Sequence, residues 1–437
     1  MTFNAVMAIV MMAAIIFCVF KDFCNTGIIF AGVSLVCGLI MGVPIRGLNF
    51  VVWDGLEQIG GIIYLMLFAV TFFGILHDAG VFKLLVRAIV KRLGNNLVSV
   101  FLITYLLSVG TQLDGSGATT ALCTIPVMKP IYDKMKIRRE ALMLFFTVGG
   151  GTMLILPWAP GINECIGYVT KEQGAVDKAF HYAVPIMVVM AVVSIVMIFI
   201  YAGIEKRHGA GMTKEEFDAM KAAIDEDTKV ENFNKPVAIF DIIFTLVIIV
   251  LMLGGWVGSN ICFGIGLFVM IMVNYKNADA RYDYVARQGR TLANIALTMF
   301  GLAVFLGVTQ ATGCFDELIL FLLGDSSPSL LIHLPLICCI FSTVLQIFVG
   351  TPSFAILIPA VCTLTAPLGV DPIKFMTAFF ASQVFSINLC LFSATPFLAL
   401  NLADVKVKDQ IKYSLVPCCA ASVVIALACA AFGLIPW

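Results

Sequence analysis

The sequence predicts an all-α, polytopic membrane protein built from two inverted-topology repeats, and three observations carry that reading. The 437 residues are 61% hydrophobic and 12% charged, with a mean hydropathy of +1.02. A soluble domain is about 45–50% apolar and about 25% charged. Apolar runs close to the ~20 residues that a bilayer requires recur along the whole chain. A pattern in the first half also returns in the second. So little charge cannot cover a water-soluble globule of this size, which excludes a soluble enzyme, a nucleic-acid binder and a disordered chain. The 27 basic and 27 acidic residues cancel, so charge position carries the information and net charge carries none.

Taken in order, about ten apolar runs are long enough to cross: roughly 3–20, 27–43, 57–77, 141–165, 181–202, 237–255, 260–275, 292–313, 374–400 and 414–435. No basic residue precedes the first run and no small-residue cleavage site follows it, so it does not read as a cleavable signal. Two further stretches, 97–132 and 330–367, are apolar but interrupted, by LDGSGATT (Leu113 to Thr120) and VGTPSFA (Val349 to Ala355). Gly/Asp/Ser and Gly/Pro clusters are turn signals. Each stretch therefore reads as a re-entrant hairpin, tolerable at membrane depth only where it is buried in protein or lines a cavity. With hairpins returning to their own side, only Arg46, Lys171, Lys178 and Lys374 of the 27 basic residues fall outside, as the positive-inside rule requires. Both termini then face outward.

The run Phe72 to Phe82 (FFGILHDAGVF) matches Phe305 to Phe315 (FLGVTQATGCF), and Ile125-Pro126 matches Ile358-Pro359, both shifted by about 233 residues. Such a shift is the mark of an internal repeat. Each unit holds three spans, a hairpin and two spans; five crossings is odd, so the second unit is inserted upside down. The expected division is 1–202, a cytoplasmic linker 203–236, and 237–437. The linker carries Thr213-Lys-Glu-Glu216, a capping-box start. Residues 81–92 place Val81, Leu84, Leu85, Ala88 and Ile89 on one helix face and Lys83, Arg87 and Lys91 on the other, which suits a helix lying flat at the inner surface. Its counterpart near 315–323 would lie flat outside. The 14 cysteines lie mostly in apolar runs, and their spacing is neither zinc-like nor redox-like.

After each hairpin comes a span with an internal break, LPWAPGINE (Leu156 to Glu164) and NLCLFSATP (Asn388 to Pro396). Proline inside a helix removes a backbone bond, so both spans are expected to unwind near mid-membrane. Two tips and two breaks can then meet, turning up to four helix N-termini inward. Each N-terminus offers free N–H groups and about half a positive charge. That makes an anion site without Lys or Arg. Its side chains are small hydroxyls and amides: Ser116, Thr119, Thr120, Ser353, Ser393, Thr395, Asn163 and Asn388. Such a lining suits a polyoxygenated carboxylate.

Asp114 stands out because a carboxylate at mid-membrane costs roughly 2.5–3.5 kcal/mol. It either binds a coupling proton, a sodium ion or a divalent metal that travels with the substrate, or it caps the second hairpin arm. Glu164 reads as a gate or as a solvated span end, and His77-Asp78 as a solvated helix end. Trp158 either walls the site or packs. Gln112 and Gln383 are wall residues or helix-contact glue.

These residues also carry a resemblance. AGVFKLLVRAIVKRLG, LDGSGATT and LPWAPG are similar to the bacterial citrate–metal-ion/proton symporters, members of a superfamily of ion-coupled carboxylate transporters. The resemblance covers nearly the whole chain and is strongest over 72–165. It implies an elevator-type fold, a citrate-class substrate carried alone or as a metal complex, the bacterial cytoplasmic membrane, and a homodimer. The family's first tip is matched by Leu113, Asp114, Gly115, Gly117, Thr119 and Thr120, and its break by Trp158, Ala159, Pro160 and Gly161. Ser116, and Gly350-Thr351-Pro352-Ser353 at the second tip, stand where the family commonly has an acid. That keeps a smaller di- or monocarboxylate, or another organic acid such as gluconate, open beside citrate.

The expectation is a secondary carboxylate transporter that takes no resident cofactor, contacts membrane lipid and binds no nucleic acid. The glycine-rich ATP loop G-x-x-x-x-G-K-[ST] is absent, so an ion gradient is the expected drive. A cation/proton antiporter would also use repeats and a buried acid. An intramembrane enzyme needs a nucleophile–base pair or a metal triad, and none of His77, His181, His208 and His333 lies in a broken segment.

Overall fold

Helices appear where the apolar runs predict them, and many begin at a polar cap. In this computed structural model the described residues are all but 1, 22, 82–83, 85–91, 93, 171, 173, 214, 216, 218–234, 254–255, 324–327, 349–351 and 391–393, with the side chains of residues 16, 19–20, 58, 114, 235, 253, 316, 319–320, 322–323, 328–329, 348, 352–353, 355–356, 394 and 397 also outside the description. Most of the 81–92 segment and half of the Thr213–Glu216 capping box therefore lie outside the described residues.

The first unit runs α1 (Phe3–Phe20), α2 (Thr26–Ile40), α3 (Ile45–Asp78), α4 (Leu97–Thr111), α5 (Gly117–Lys134), α6 (Arg139–Met153), α7 (Pro160–Gly167) and α8 (Ala175–Arg207). The second runs α9 (Lys235–Leu253), α10 (Ser259–Asn274), α11 (Ala278–Thr312), α12 (Cys314–Leu323), α13 (Pro328–Ile340), α14 (Ser342–Phe348), α15 (Pro352–Thr365), α16 (Pro372–Gln383), α17 (Ala394–Ala403) and α18 (Val407–Ala431). Asn25, Asn96, Ser116, Asn277 and Asp371 each accept a first-turn N–H of the helix that follows, satisfying a donor that has no intrahelical partner.

Among the described residues, four segments are long and apolar enough to cross a bilayer: Ile59–Asp78, Ala175–Arg207, Ala278–Thr312 and Val407–Ala431. Seven shorter apolar stretches, of 10–17 described residues each, accompany them. Hairpin arms and half-helices are short because each stops at a turn. Large hydrophobics such as Ile9, Val36, Phe199, Phe240, Phe268 and Val424 are exposed. That belt belongs to a membrane protein, where lipid rather than protein covers apolar side chains.

The packing separates two groups of helices. In the first, α11 lies along α2 and α3, and α10 packs on α3 and α9. Thr2 and Asn4 at the start of α1 donate to Glu317 of α12. The α2–α3–α11 contact is made at glycines. A Cβ on Gly55 would sit 1.9 Å from the Ala303 carbonyl oxygen, and one on Gly307 2.0 Å from that of Val51. Small residues that let backbones touch are how membrane helices associate, since lipid offers no hydrophobic drive between them. A carbonyl cannot rotate out of the way as a side chain can. Gly307→Ala is therefore expected to cost at or beyond the ~1–3 kcal/mol of ordinary overpacking, read as a fall in the thermal-unfolding midpoint in detergent.

In the second group, α4 packs on α5, α6 and α8, α5 lies along α17, and α18 packs on α8, α13 and α16. Polar bolts hold its end near Arg138 together. Arg138 pairs with the fully buried Glu205 at 2.6 Å, and Tyr413 donates to the same carboxylate at 2.8 Å. Arg139 joins Asp133 to Asp404, each at 2.6 Å, and Lys129 donates to the Leu402 carbonyl. The first hairpin and the α17–α18 corner are thus one packed unit.

Candidate functional site

The first hairpin turns where the sequence lacks helix formers. After α4, residues Gln112–Asp114 form one turn of 3₁₀ helix and Gly115 takes φ +74°. Ser116 then caps α5, its Oγ accepting the Thr119 N–H at 3.3 Å. The left-handed Gly115 is needed twice over: a Cβ there would be strained and would press on Pro160 Cδ at 3.2 Å.

The first broken span differs from the expected break. The helix stops at Met153 and resumes at Pro160, so residues 160–164 are helical and the unwound stretch is 154–159. Proline at the first helical position has no N–H to lose and its φ is preset, so it starts α7 instead of interrupting it. In the second broken span α16 stops at Gln383 and Val384–Leu389 is 3₁₀ helix. Helix resumes at Ala394.

Three helix starts, of α5, α7 and α17, meet at one cavity of about 390 Å³. Gly115, Ser116, Gly117, Thr119, Pro160 and Thr395 line one wall. The starts of α5 and α17 touch: a Cβ on Gly117 would lie 2.8 Å from Thr395 Cγ2. The opposite wall is Val70, Gly74 and His77 of α3 with Gln288, Thr291 and Ile295 of α11. Among the described residues, no Lys or Arg lines it.

The other expected site residues are placed differently. Thr120 is buried and donates to Gln112 Oε1 at 2.6 Å, so it braces the tip from behind. Gly161 faces the Phe380 ring. Asn163 is fully buried; its amide donates to the carbonyls of Pro157 and Ala159 at 2.7 and 3.0 Å, tying the start of α7 to the unwound stretch. Asn388 lies beside Pro396 and Gln410, away from the main cavity. Gly350, Thr351 and Ser393 are outside the described residues, as are the side chains of Asp114 and Ser353.

Trp158 packs. It is 1% exposed, stacks on Phe73 at 5.2 Å and meets Phe263 edge-on at 5.3 Å. Its Nε1–H donates to the Leu113 carbonyl at 2.6 Å. One side chain thus ties the break to the hairpin tip and presses both against α3 and α10. Trp158→Phe keeps the ring but leaves that carbonyl without its donor, at about 1–3 kcal/mol if the carbonyl stays dry. The expected result is a lower unfolding midpoint together with weaker substrate binding, measured on the same purified variant.

The far wall was not foreseen. His77 and Asp78 end α3 and are exposed, as a solvated helix end is; in addition Asp78 accepts from Arg287 at 2.8 Å and Tyr275 at 3.1 Å, and His77 lines the cavity. Gln288 and Thr291 precede the apolar run at 292 and so fall outside the expected span. The helix in fact starts at Ala278, capped by Asn277. That cap, followed by Asp279 in the first turn, is a helix-start signature readable in the sequence.

A family model described as "Citrate transporter" (CitMHS) matches residues 2–287. A Bacillus subtilis (strain 168) protein described as "Citrate transporter" is 22% identical over 433 residues, covering 99% of this chain and 99% of that one. The "Mg(2+)/citrate complex secondary transporter" of the same organism is 23% identical over 385 residues, 87% of each chain. Among solved structures, the YdaH transporter of Alcanivorax borkumensis aligns with a TM-score of 0.62 at 12% identity, over 94% of this chain and 99% of that one. Neisseria gonorrhoeae MtrF aligns at 0.53 and 13%, over 92% and 94%. At such identities the shared property is the fold.

Proposed function

Because the chain belongs to the citrate transporter family, we propose that it is an ion-coupled secondary transporter of a di- or tricarboxylate of the citrate class. The observation that carries this reading is the meeting of three helix N-termini at one cavity. Their summed partial charges and free N–H groups favour an anion. With no Lys or Arg in the lining, the anion is held without a fixed countercharge and can be released again. Ser116, Thr119 and Thr395 supply hydroxyls to its oxygens.

Asp114, in the same tip, takes the proton, sodium ion or divalent metal that accompanies the substrate. Among the described residues no three His, Cys, Asp or Glu side chains gather as a metal site. A divalent ion would therefore travel as cargo, held by the substrate's own carboxylates together with Asp114.

The chain sits in a bacterial cytoplasmic membrane as two inverted repeats, with 97–132 and 330–367 as re-entrant hairpins. The hairpins and broken spans form a block that slides against the α2–α3–α11 scaffold, the elevator arrangement, and two copies join through their scaffolds. The cavity is bounded by the end of α3 and the start of α11, the ends that the positive-inside rule assigns to the cytoplasm, so the conformation faces inward.

The test is uptake by proteoliposomes of labelled citrate, citrate–metal complexes, C4-dicarboxylates and gluconate under imposed pH and sodium gradients. Saturable accumulation of one carboxylate driven by one gradient is expected. A flux that follows a cation and ignores every carboxylate would instead identify an antiporter and overturn the reading.

A further inference from the structure

We propose that Glu164 is a proton-carrying site that enforces coupling, resting on the transport reading above. Glu164 lies on α7 four residues after Pro160, which lines the cavity, so it stands about 6 Å along the helix from the substrate site. It is half-buried. Its Oε1 accepts the Tyr168 hydroxyl at 3.0 Å. Tyr168 is itself buried and meets Phe305 of α11 edge-on at 6.4 Å. On the same side of α7, Gly161 faces the Phe380 ring.

The elements packed on α7 are α3, α8, α15 and α16. The titratable groups facing Glu164 are Tyr168 and Cys165 of its own helix. Asp54, Glu57, Asp177, Lys178 and Lys374, carried by α3, α8 and α16, make no pair with it among the described residues, and α15 carries no charged residue. An ionised Glu164 therefore has no cationic partner there. The fully buried Glu205 of α8, by contrast, already pairs with Arg138.

A charge rule for coupling follows. With the Asp114 charge matched by the cation that it takes, the convergent helix starts are balanced by one further anion at a time. In the empty site the Glu164 carboxylate, in the second turn of α7, supplies the negative charge. When an anionic substrate arrives it supplies that charge, and Glu164 takes up a proton. Two negative charges one turn apart in a low-dielectric block are strongly disfavoured, and so is a block with none. Substrate and proton therefore cross together, and the empty block returns with neither.

The test uses the full-length protein in proteoliposomes with labelled citrate. Glutamine mimics the protonated acid at all times. Glu164→Gln should keep citrate exchange without a gradient while losing accumulation driven by a proton gradient. One uncoupled proton lowers the accumulation ratio about tenfold for each pH unit imposed. Glu164→Asp should keep the pH dependence with a shifted midpoint. Gradient-driven accumulation unchanged in Glu164→Gln overturns the proposal, and so does loss of exchange with the variant present in the membrane at the wild-type level. A second readout needs no transport. Infrared titration of the substrate-free protein in lipid should show, as the pH is lowered and the Glu164 carboxylate takes up its proton, a protonated-carboxyl band that Glu164→Gln lacks, and identical spectra throughout the titration overturn the proposal. If the wild-type protein exchanges none of the carboxylates in the screen, the transport reading fails, while the infrared result still decides whether Glu164 holds a proton.

Discussion

Asp114→Asn is expected to abolish gradient-driven carboxylate accumulation while the protein still folds. The argument begins with the backbone that presents the residue. Asp114 ends the 3₁₀ turn, and Gly115 reverses the chain into α5. The turn is pinned from outside by the Trp158–Leu113 bond and from inside by the Thr120–Gln112 bond. The alternative reading, that Asp114 caps α5, has lost its vacancy, because Ser116 holds the cap position. What remains is a carboxylate in a tip crowded with positive helix ends. Asparagine removes its charge and keeps its shape. A hydrogen bond or contact to a charged group is worth about 1.5–3 kcal/mol, so the accompanying cation should bind about 10–100-fold more weakly. Uptake of labelled citrate at several pH values and metal concentrations measures this. Unchanged uptake with unchanged pH and metal dependence would return Asp114 to a local structural role.

Arg138→Ala carries the largest expected cost to stability. Glu205 is fully buried while Arg138 keeps 40% of its side chain exposed. Arg138 also donates from Nε to Glu205 at 2.8 Å, and its guanidinium lies 4.8 Å over the Tyr413 ring. Removing the cation leaves a buried carboxylate with only the Tyr413 hydroxyl and the residue 138 backbone N–H. Breaking a buried pair from one side costs about 3–5 kcal/mol, because the stranded charge stays desolvated. Water reaches Arg138, so the lower end of that range applies. A thermal-unfolding midpoint lowered by several degrees is expected. Arg138→Ala with Glu205→Gln should recover part of the loss, since the stranded charge is gone. If the single variant melts like the wild type, the bolt holds nothing.

The two kinds of polar feature in this chain differ in how far a reader of the sequence can see them. The turn at Leu113–Thr120 is legible because Asp, Gly and Ser cluster inside an apolar run, and a membrane helix has no local use for them. The unwinding before Pro160 is legible for the same reason, although its limits are not. Proline ends a helix or starts one, and only the neighbouring packing decides which. Trp158 could equally line a cavity or fill a core. The Phe73 and Phe263 rings that make it core come from α3 and α10, 85 and 105 positions away. Asn388 had the chemistry of a site residue, but the 3₁₀ turn through Val384–Leu389 sets it against Pro396 and Gln410. Gln288 and Thr291 were missed because hydropathy marks where lipid begins, and α11 begins earlier.

By itself the sequence determined the solvent. Its low charge, its apolar runs and their interruptions specify a helical membrane protein, the turn at Leu113–Thr120 and a polar lining, because those depend on composition and on bonds within a few residues. Only the tertiary structure decided which helix starts meet, that α3 and α11 supply the facing wall, and which of the polar residues face the cavity. Those depend on backbones brought together at glycines and rings from distant parts of the chain, and no local propensity encodes a contact whose two halves lie hundreds of residues apart.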